Sequence, residues 1–241
     1  MVAAERPSPG IALLRSFAFP AAGAYGLLAG VRNRLFDEGV LPSRRAQCRV
    51  VSVGNLTVGG TGKTPMVVWL AEFLRGEGWR VAVASRGYGG TCGRRLCVVS
   101  DGSRMVADVR ISGDEPQLLA RRLPHVPVLC SAHRSRAVAA AVEKFGTQAA
   151  ILDDGFQHRR LARDLDLVLL DARTPFGNGW LFPRGSLREP PSGTAGCFLG
   201  DPCGSRRLPS GERTLSFSAA LTGVRPPRQI EKDWRGVGRI R

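Results

Sequence analysis

Between residues 48 and 172 the chain alternates short apolar runs with longer segments whose apolar residues recur at helical spacing. Five of the runs have the length of buried strands, and three of the segments have the length of helices. The strands are predicted at 48–55, 79–85, 126–130, 148–154 and 165–172, and the helices at 64–78, 113–123 and 133–146. This alternation predicts an α/β fold with a mostly parallel sheet flanked by helices, whose functional groups lie at the carboxyl ends of the strands.

A second apolar region, residues 11–41, precedes the alternation. Its uninterrupted apolar run after Arg15 is about 16 residues long, shorter than the roughly 20 residues that a membrane-spanning helix needs. Pro20 and several glycines interrupt the region, which predicts broken helices. Two arrangements are open: helices with Arg15, Arg32 and Arg34 at their ends that lie among phospholipid headgroups, or a helical hairpin packed on the core. No cleavable secretory signal is predicted.

The stretch TVGGTGKT, residues 57–64, follows the first predicted strand and opens the first predicted helix. A phosphate-binding loop usually reads G-x-x-x-x-G-K-[ST], and this chain has Thr57 in place of the first Gly. The loop's backbone N–H groups and the helix N-terminus would face phosphate oxygens, with Lys63 on the β- and γ-phosphates and Thr64 on Mg²⁺. The alternative is a glycine-rich turn with an incidental lysine. The predicted nucleotide-binding residues are Thr57, Val58, Gly59, Gly60, Thr61, Gly62, Lys63 and Thr64.

Two carboxylates, Asp153 and Asp154, close the apolar run at 148–154. A phosphate-binding loop needs such a carboxylate at the end of a neighbouring strand to hold its metal ion. One of the pair is predicted to hold Mg²⁺ directly or through water, and the other to order the loop or bind a second ion. The alternative is a polar strand end that caps the next turn.

Two more motifs point to the same edge of the sheet. SRGYGG, residues 85–90, ends a predicted strand with Arg86 and a flexible turn suited to phosphate or sugar. GDEP places Asp114 and Glu115 at a helix start, where a carboxylate is favoured by the helix dipole. The residues alone favour a capping role for Asp114.

The charge balance favours an anionic partner without selecting one. Lys and Arg number 35 against 20 Asp and Glu, a net charge of +15, although Arg richness is also a compositional habit of some genomes. Nucleic acid is not predicted, because no aromatic stacking motif or reading helix is recognisable. The six cysteines are scattered without a C-x-x-C pair, which predicts reduced thiols and no zinc site.

Taken together, these motifs closely resemble those of the tetraacyldisaccharide 4'-kinase family. The motifs, in chain order, are SVGNLTVGGTGKTP, SRGYGG, GDEPQLLA, LDDGFQHRRL, DLDLVLLDA and FGNGW with LREP. The resemblance implies transfer of the γ-phosphate of ATP, with Mg²⁺, to the 4'-hydroxyl of a tetraacylated glucosamine disaccharide 1-phosphate in lipid A biosynthesis. It also implies peripheral or monotopic attachment to the anionic cytoplasmic face of the bacterial inner membrane, through the amino-terminal helices. No obligate protein partner is expected.

The resemblance also assigns residues. The family's nucleotide loop falls on residues 57–64, so Thr57 is expected there. Its metal-binding acids fall on Asp153 and Asp154, and its general base falls on Asp114, which reverses the capping interpretation. The implied catalytic residues are Asp114, Lys63 and Asp154.

The chain departs from the family in two places. It has FPRGSLREP, ending at Pro190, where the family usually has LPAGPLREP, and it has no His after His158. Beyond Pro190 no convincing alternation of strands and helices is found. We therefore expect a helical membrane-docking segment at 1–45, a P-loop kinase core at 46–190 and a divergent or incomplete segment at 191–241. The main hypothesis is an active lipid kinase, and the alternative is a kinase-derived chain that a truncation or frame change has left inactive.

An alternative class is a nucleotide-dependent switch or metallochaperone ATPase. The loop also resembles the K-G-G-x-G-K-T loop of those dimeric NTPases, in which the first lysine reaches across the dimer. This chain has Val58 in place of that lysine, which favours the lipid kinase.

Overall fold

The computed structural model of the chain describes residues 9–59, 62–171, 174–191 and 198–200. Within these ranges, five helices surround a sheet of seven strands. The helices are α1 (Pro9–Asp37), α2 (Lys63–Gly76), α3 (Val109–Ser112), α4 (Asp114–Arg122) and α5 (Arg134–Phe145). The strands are β1 (Arg49–Asn55), β2 (Val81–Ser85), β3 (Cys97–Ser100), β4 (Val128–Cys130), β5 (Ala149–Asp153), β6 (Leu165–Leu169) and β7 (Phe198–Gly200).

The strand order is β3-β4-β2-β5-β1-β6-β7, and every pair is parallel except β3 with β4. The five predicted strands and three predicted helices are confirmed, as is the mostly parallel α/β fold. Because β1 lies between β5 and β6, the loop that follows β1 lies beside the end of β5. Val53 pairs with Asp153 in this register, so the predicted phosphate loop and the predicted metal ligands share one edge of the sheet.

Both faces of the sheet are covered by helices. Along β1, Val51 and Val53 pack with α2 and α4, whereas Val50 packs with α5. Successive side chains of a strand point to opposite faces, so both sets of positions are apolar in a strand that is buried on both sides. The continuous apolar run at 48–55 follows from this two-sided burial.

The amino-terminal region is one continuous helix, α1, and the expectations of broken helices or of a hairpin were wrong. Pro20 lies inside α1. A proline removes one backbone hydrogen bond and kinks a helix, but the bonds on either side of it can persist, so the helix continues. No helix in the described part of the chain is long and apolar enough to cross a membrane.

The carboxyl-terminal half of α1 is attached to the core through polar contacts. The Asn33 amide donates to Glu189 Oε2 at 3.1 Å, and the Tyr25 hydroxyl donates to the Arg188 carbonyl at 2.9 Å. By contrast, Leu27 and Leu28 are 69% and 70% exposed. The helix therefore lies against the core on one side and presents apolar side chains on another.

The segment after Pro190 contributes a strand that the sequence did not predict. β7 pairs in parallel with β6, with Leu167 opposite Phe198. This one short strand had no counterpart among the predicted elements. Residues 192–197 and 201–241, like residues 1–8, lie outside the described ranges, and the predicted three-part division of the chain stays a prediction.

Candidate active site

The predicted phosphate-binding loop connects the buried strand β1 to α2. Gly62, in a left-handed conformation with φ 73°, is the residue before the helix, and Lys63 is the first helical residue. Gly60 and Thr61, also predicted to bind the nucleotide, lie outside the described residues. The first N–H groups of a helix have no partner within it, so α2 presents them at this end of the sheet.

The backbone around Thr57 explains why a threonine can replace the first glycine of the usual motif. Thr57 forms an antiparallel bridge with Leu187, and the Val58 N–H donates to the Ser186 carbonyl at 2.7 Å. The φ angle of Thr57 is not positive, and a residue in such a bridge has the extended backbone that any residue can adopt. The loop is thereby held on one side by the segment 186–188.

Lys63 lies between two acceptors. Its Nζ is 3.2 Å from Asn55 Oδ1 and 3.6 Å from Asp154 Oδ1. The amide of the buried Asn55 donates to the Thr57 carbonyl at 2.7 Å and to the Gly59 carbonyl at 3.4 Å. Asn55 therefore positions both the loop and its lysine, a role that sequence reasoning missed although a polar residue at the end of a buried strand was a signal for it.

Asp154 sits in a concentration of positive charge. Arg188 Nη1 lies 3.1 and 3.0 Å from its two carboxylate oxygens, in addition to the contact with Lys63. Burial acts to raise the pKa of Asp154, but Arg188 and Lys63 outweigh it and hold that pKa below its ordinary value. Asp154 is therefore ionised at neutral pH. Its backbone has a positive φ of 49°, which aspartate tolerates better than most residues.

Asp153, one residue earlier, has the opposite electrostatic environment. Its side chain is buried and accepts a hydrogen bond from the Ser85 hydroxyl at 3.2 Å. Burial, together with the charges of Glu115 and Asp154, raises the pKa of Asp153 to about 6. Two adjacent carboxylates with pKa values shifted in opposite directions indicate two different roles.

Arg134, the first residue of α5, supports the backbone of the two aspartates from the other face of the sheet. Its side chain is 5% exposed, and Nη2 donates to the Asp154 carbonyl at 3.1 Å. Burial, followed by the charge of Arg86, lowers the pKa of Arg134. Nothing in the sequence distinguished this arginine from the many others, so its role was missed.

The turn at 85–90 and the start of α4 pack directly on each other. A side chain at Gly113 would collide with the Tyr88 carbonyl, and one at Gly90 would collide with the Ile111 carbonyl. Gly113 is the residue before α4, and no side-chain hydrogen bond caps this helix. Asp114 is exposed and has no hydrogen bond or ion pair with other described residues. Its carboxylate is thus not engaged in capping.

The structure brings Lys63 within 3.6 Å of Asp154, which directly follows Asp153, as predicted. At the start of α4, the charge of Glu115 contributes to the raised pKa of Asp153. The half-buried Thr64 hydroxyl stands one residue after Lys63. Carboxylate and hydroxyl oxygens are the hard ligands that Mg²⁺ prefers, and a helix N-terminus with a lysine suits a polyphosphate. The donor set therefore fits Mg²⁺ and a nucleoside triphosphate.

A mostly parallel sheet with a glycine-rich G-K-T loop after β1 and paired carboxylates at the end of the neighbouring β5 defines a P-loop NTPase-like protein. Comparison with known proteins narrows this class. Residues 14–198 match the family described as tetraacyldisaccharide-1-P 4'-kinase, and the chain belongs to that family. The resemblance seen in the motifs is confirmed, and it favours the lipid kinase class over the switch and metallochaperone NTPases.

Several relatives share this family's name. The tetraacyldisaccharide 4'-kinase of Anaeromyxobacter dehalogenans (strain 2CP-C) is 52% identical over 188 residues, which are 78% of this chain and 50% of the relative. That of Syntrophus aciditrophicus (strain SB) is 52% identical over 162 residues, 67% of this chain and 43% of the relative. The chain thus spans about half the length of the curated relatives it matches.

A solved structure has the same fold. The crystal structure of the "apo" form of LpxK from Aquifex aeolicus in complex with ATP is 40% identical and aligns with a TM-score of 0.72. The alignment covers 77% of this chain and 58% of that chain.

Proposed function

We propose that the chain transfers the γ-phosphate of ATP to the 4'-hydroxyl of a tetraacylated glucosamine disaccharide 1-phosphate, a step of lipid A biosynthesis. The observation that carries the proposal is the 3.6 Å contact of Lys63 with Asp154, which joins the phosphate loop to the acidic end of β5 in a member of this family. ATP is named as the ligand of the Aquifex aeolicus structure, which supports ATP as the nucleotide here.

The loop's task is to hold the triphosphate. Backbone N–H groups at the start of α2 face the phosphates, and Lys63 reaches the β- and γ-phosphates. The hydrogen bond to Asn55 holds the Lys63 side chain at the carboxyl end of β1, next to the loop. The lysine therefore needs little reorganisation on binding.

Thr64, Asp153 and Asp154 would hold Mg²⁺. The ion, when bound, neutralises charge that develops on the transferred phosphoryl group. The two aspartates divide the work: Asp154 is engaged by Lys63 and Arg188, whereas Asp153 has no basic side chain within ion-pair distance among the described residues. Asp153 is thus the better direct ligand, and Asp154 orients the cationic side chains around the phosphates.

Asp114 is the proposed general base. It stands exposed at the start of α4, without a side-chain partner in the described part of the chain, beside the turn that carries Arg86. A carboxylate in this position accepts the proton of the sugar hydroxyl as the hydroxyl attacks the γ-phosphate in line.

An aromatic surface suited to a lipid interface lies between α1 and residues 176–184. Phe19 packs against Trp180 at 5.7 Å between ring centroids, and Tyr25 packs against Phe182 at 6.1 Å. The Arg184 guanidinium covers Trp180 at 3.4 Å from its ring centroid. Amphipathic aromatic rings and arginines are the residues that bind headgroup regions and anionic lipid.

This surface supports peripheral or monotopic attachment to the cytoplasmic face of the bacterial inner membrane. An acylated disaccharide stays in its bilayer, so the enzyme must hold its site near the headgroups. The net charge of +15 adds attraction to anionic lipid and to the substrate's 1-phosphate.

The proposal is tested by incubating the purified full-length chain with Mg-ATP, detergent and the acylated disaccharide 1-phosphate, and measuring transferred phosphate. We expect transfer by the wild type, loss with Lys63→Ala, and no change with the control Lys144→Ala, an exposed lysine in the last turn of α5. Transfer that survives Lys63→Ala, or that needs no lipid acceptor, would contradict the proposed function.

A further inference from the structure

Three of the cysteines, scattered in the sequence, meet at the β3–β4 edge of the sheet. The sulfur atoms of Cys92, Cys97 and Cys130 all lie within 4.8 Å of one another. They come from three separate pieces of backbone: a turn, the first residue of β3 and the last residue of β4. The sequence expectation of no thiol-based metal site rested on the missing C-x-x-C pair, and the fold supplies the proximity that spacing did not.

The backbone fixes each of the three positions. Cys97 and Cys130 are paired across the antiparallel β3–β4 ladder. The Cys92 N–H donates to the Ile111 carbonyl at 2.9 Å, and its thiol lies 3.1 Å from the Arg95 carbonyl. Two of the three side chains are buried, and Cys97 is partly exposed, which leaves a route from solvent to the cluster.

The spacing matches the requirements of a thiolate-bound ion. With metal–sulfur distances near 2.3 Å, three sulfurs around one ion lie about 4 Å apart, so shifts of only a few tenths of an ångström per sulfur close the site. Thiolates select soft cations such as Cu(I) and Zn²⁺ over Mg²⁺, which prefers oxygen. In the described part of the chain no His, Asp or Glu joins the group.

We propose that Cys92, Cys97 and Cys130 bind one thiophilic d¹⁰ cation, separate from the Mg²⁺ site. Each thiol releases its proton to solvent as its sulfur becomes a ligand. Cu(I) is satisfied by three thiolates, whereas Zn²⁺ takes a water molecule as the fourth ligand.

The position of the cluster gives the ion a structural consequence. A side-chain carbon at Gly87 would lie 3.2 Å from the Cys130 sulfur, so the cluster lies directly beneath the turn at 85–90. That turn packs on the start of α4, as described above. An ion on the three sulfurs links β3, β4 and the turn that holds Cys92, directly after the turn at 85–90. This link stiffens the segment from 87 to 97.

The test is a metal titration of the reduced full-length chain, with excess Mg²⁺ present and a chromophoric chelator as competitor. Zn²⁺ and Cu(I) are titrated in separate arms. The control variant replaces Cys48, Cys197 and Cys203 together by Ser, so the three thiols of the cluster are the ones that remain. The test variant is Cys97→Ser, chosen because this side chain is partly exposed; circular dichroism and metal-free thermal unfolding check that it folds.

We expect one equivalent of Zn²⁺ or Cu(I) to bind to the wild type and to the control, and the arm that binds identifies the ion. Cys97→Ser should weaken binding by more than about 100-fold. Loss of a group that supports a ligand already lowers metal affinity by up to about 100-fold, and loss of the ligand itself should cost at least as much. Amide hydrogen exchange in residues 87–97 should slow when the ion is added to the wild type. Equal binding by Cys97→Ser, loss of binding in the control, or no binding by the folded wild type would overturn the proposal. If Cys97→Ser does not fold, Cys92→Ala replaces it with the same expectations.

Discussion

The Arg188 guanidinium lies on the Asp154 carboxylate, with Nη1 3.1 and 3.0 Å from the two oxygens, although 34 residues separate them in the chain. The Arg188 N–H also donates to the Leu56 carbonyl at 2.7 Å, at the beginning of the phosphate-binding loop. One residue therefore links the loop, the acid after β5 and, through its own carbonyl, Tyr25 of α1.

Removal of this arginine should impair phosphate transfer more than folding. In Arg188→Ala, Asp154 keeps Lys63 as its ion-pair partner but loses its two-oxygen contact, and a misplaced reacting group costs on the order of 100-fold in rate. The measurement is the rate of phosphate transfer at saturating ATP. Arg110→Ala, at an exposed position of α3, is the control and should retain the wild-type rate. A wild-type rate in Arg188→Ala would show that the contact is not used.

Replacement of Asp114 should separate turnover from nucleotide binding. General base catalysis contributes roughly 10²- to 10⁴-fold, so Asp114→Asn should lower kcat by at least about 100-fold. The affinity for ATP should stay close to that of the wild type, because the Asp114 side chain has no hydrogen bond or ion pair with the described residues of the loop. Turnover assays and equilibrium ATP binding measure the two effects. Equal losses in both would contradict a general-base role for Asp114.

Asp153 should make the metal-free protein less stable as the pH rises. Its pKa is about 6 when folded against an ordinary value of 3.8, so between these values the folded state binds more protons than the unfolded state. The stabilisation is complete below pH about 3.8 and is lost as the pH rises through about 6. Its size is at most about 3 kcal/mol.

The pH effect is measured as the free energy of unfolding in urea at pH 4 and pH 7 without Mg²⁺. Asp153→Asn should lose this part of the pH dependence, and Glu143→Gln, at an exposed position of α5, should retain it. Burial lowers the pKa of His158 to about 4, so His158 also contributes to the pH dependence. Its contribution is the same in each variant and cancels in the comparison. An Asp153→Asn profile parallel to that of the wild type would contradict the expectation.

The aromatic surface should determine binding to lipid. Burying an aromatic side chain contributes on the order of 1.5–3 kcal/mol, so replacing Trp180 and Phe182 together by Ser should weaken binding to anionic vesicles by at least about tenfold. Co-sedimentation with vesicles measures this. Trp69→Ala, at an exposed position of α2, is the control and should bind like the wild type. Equal binding by the double variant would place the lipid contact elsewhere.

Much of the fold could be predicted because it follows from local pattern. Strands buried on both sides read as continuous apolar runs. Asp153 ends β5 and Asp154 follows it, and Lys63 begins the helix after β1, so all three positions could be placed from the local pattern. β3 and β7 were missed because each is only three or four residues long and depends on a neighbouring strand for its hydrogen bonds. In α1, Pro20 suggested a break that the remaining helical hydrogen bonds prevent.

The site residues Arg188 and Arg134 were missed for a different reason, because their contacts join residues that are distant in the chain. Arg188 reaches Asp154 across 34 residues, and Arg134 reaches the Asp154 carbonyl across 20. Neither contact leaves a periodic or spacing signal in a chain with many arginines. The three thiols at the β3–β4 edge are hidden for the same reason. Antiparallel pairing of β3 with β4 brings Cys97 to Cys130, and a turn outside both strands brings Cys92 to them.

The hydrogen bond from the Tyr25 hydroxyl to the Arg188 carbonyl has a kinetic consequence for the proposed reaction at a lipid interface. It ties α1, the helix proposed to meet the lipid, to the residue that holds Asp154, so the proposed reaction centre would stay at a set height above the headgroups. Turnover should then follow the mole fraction of substrate in a mixed micelle. Adding inert detergent at constant bulk substrate should slow the reaction by surface dilution.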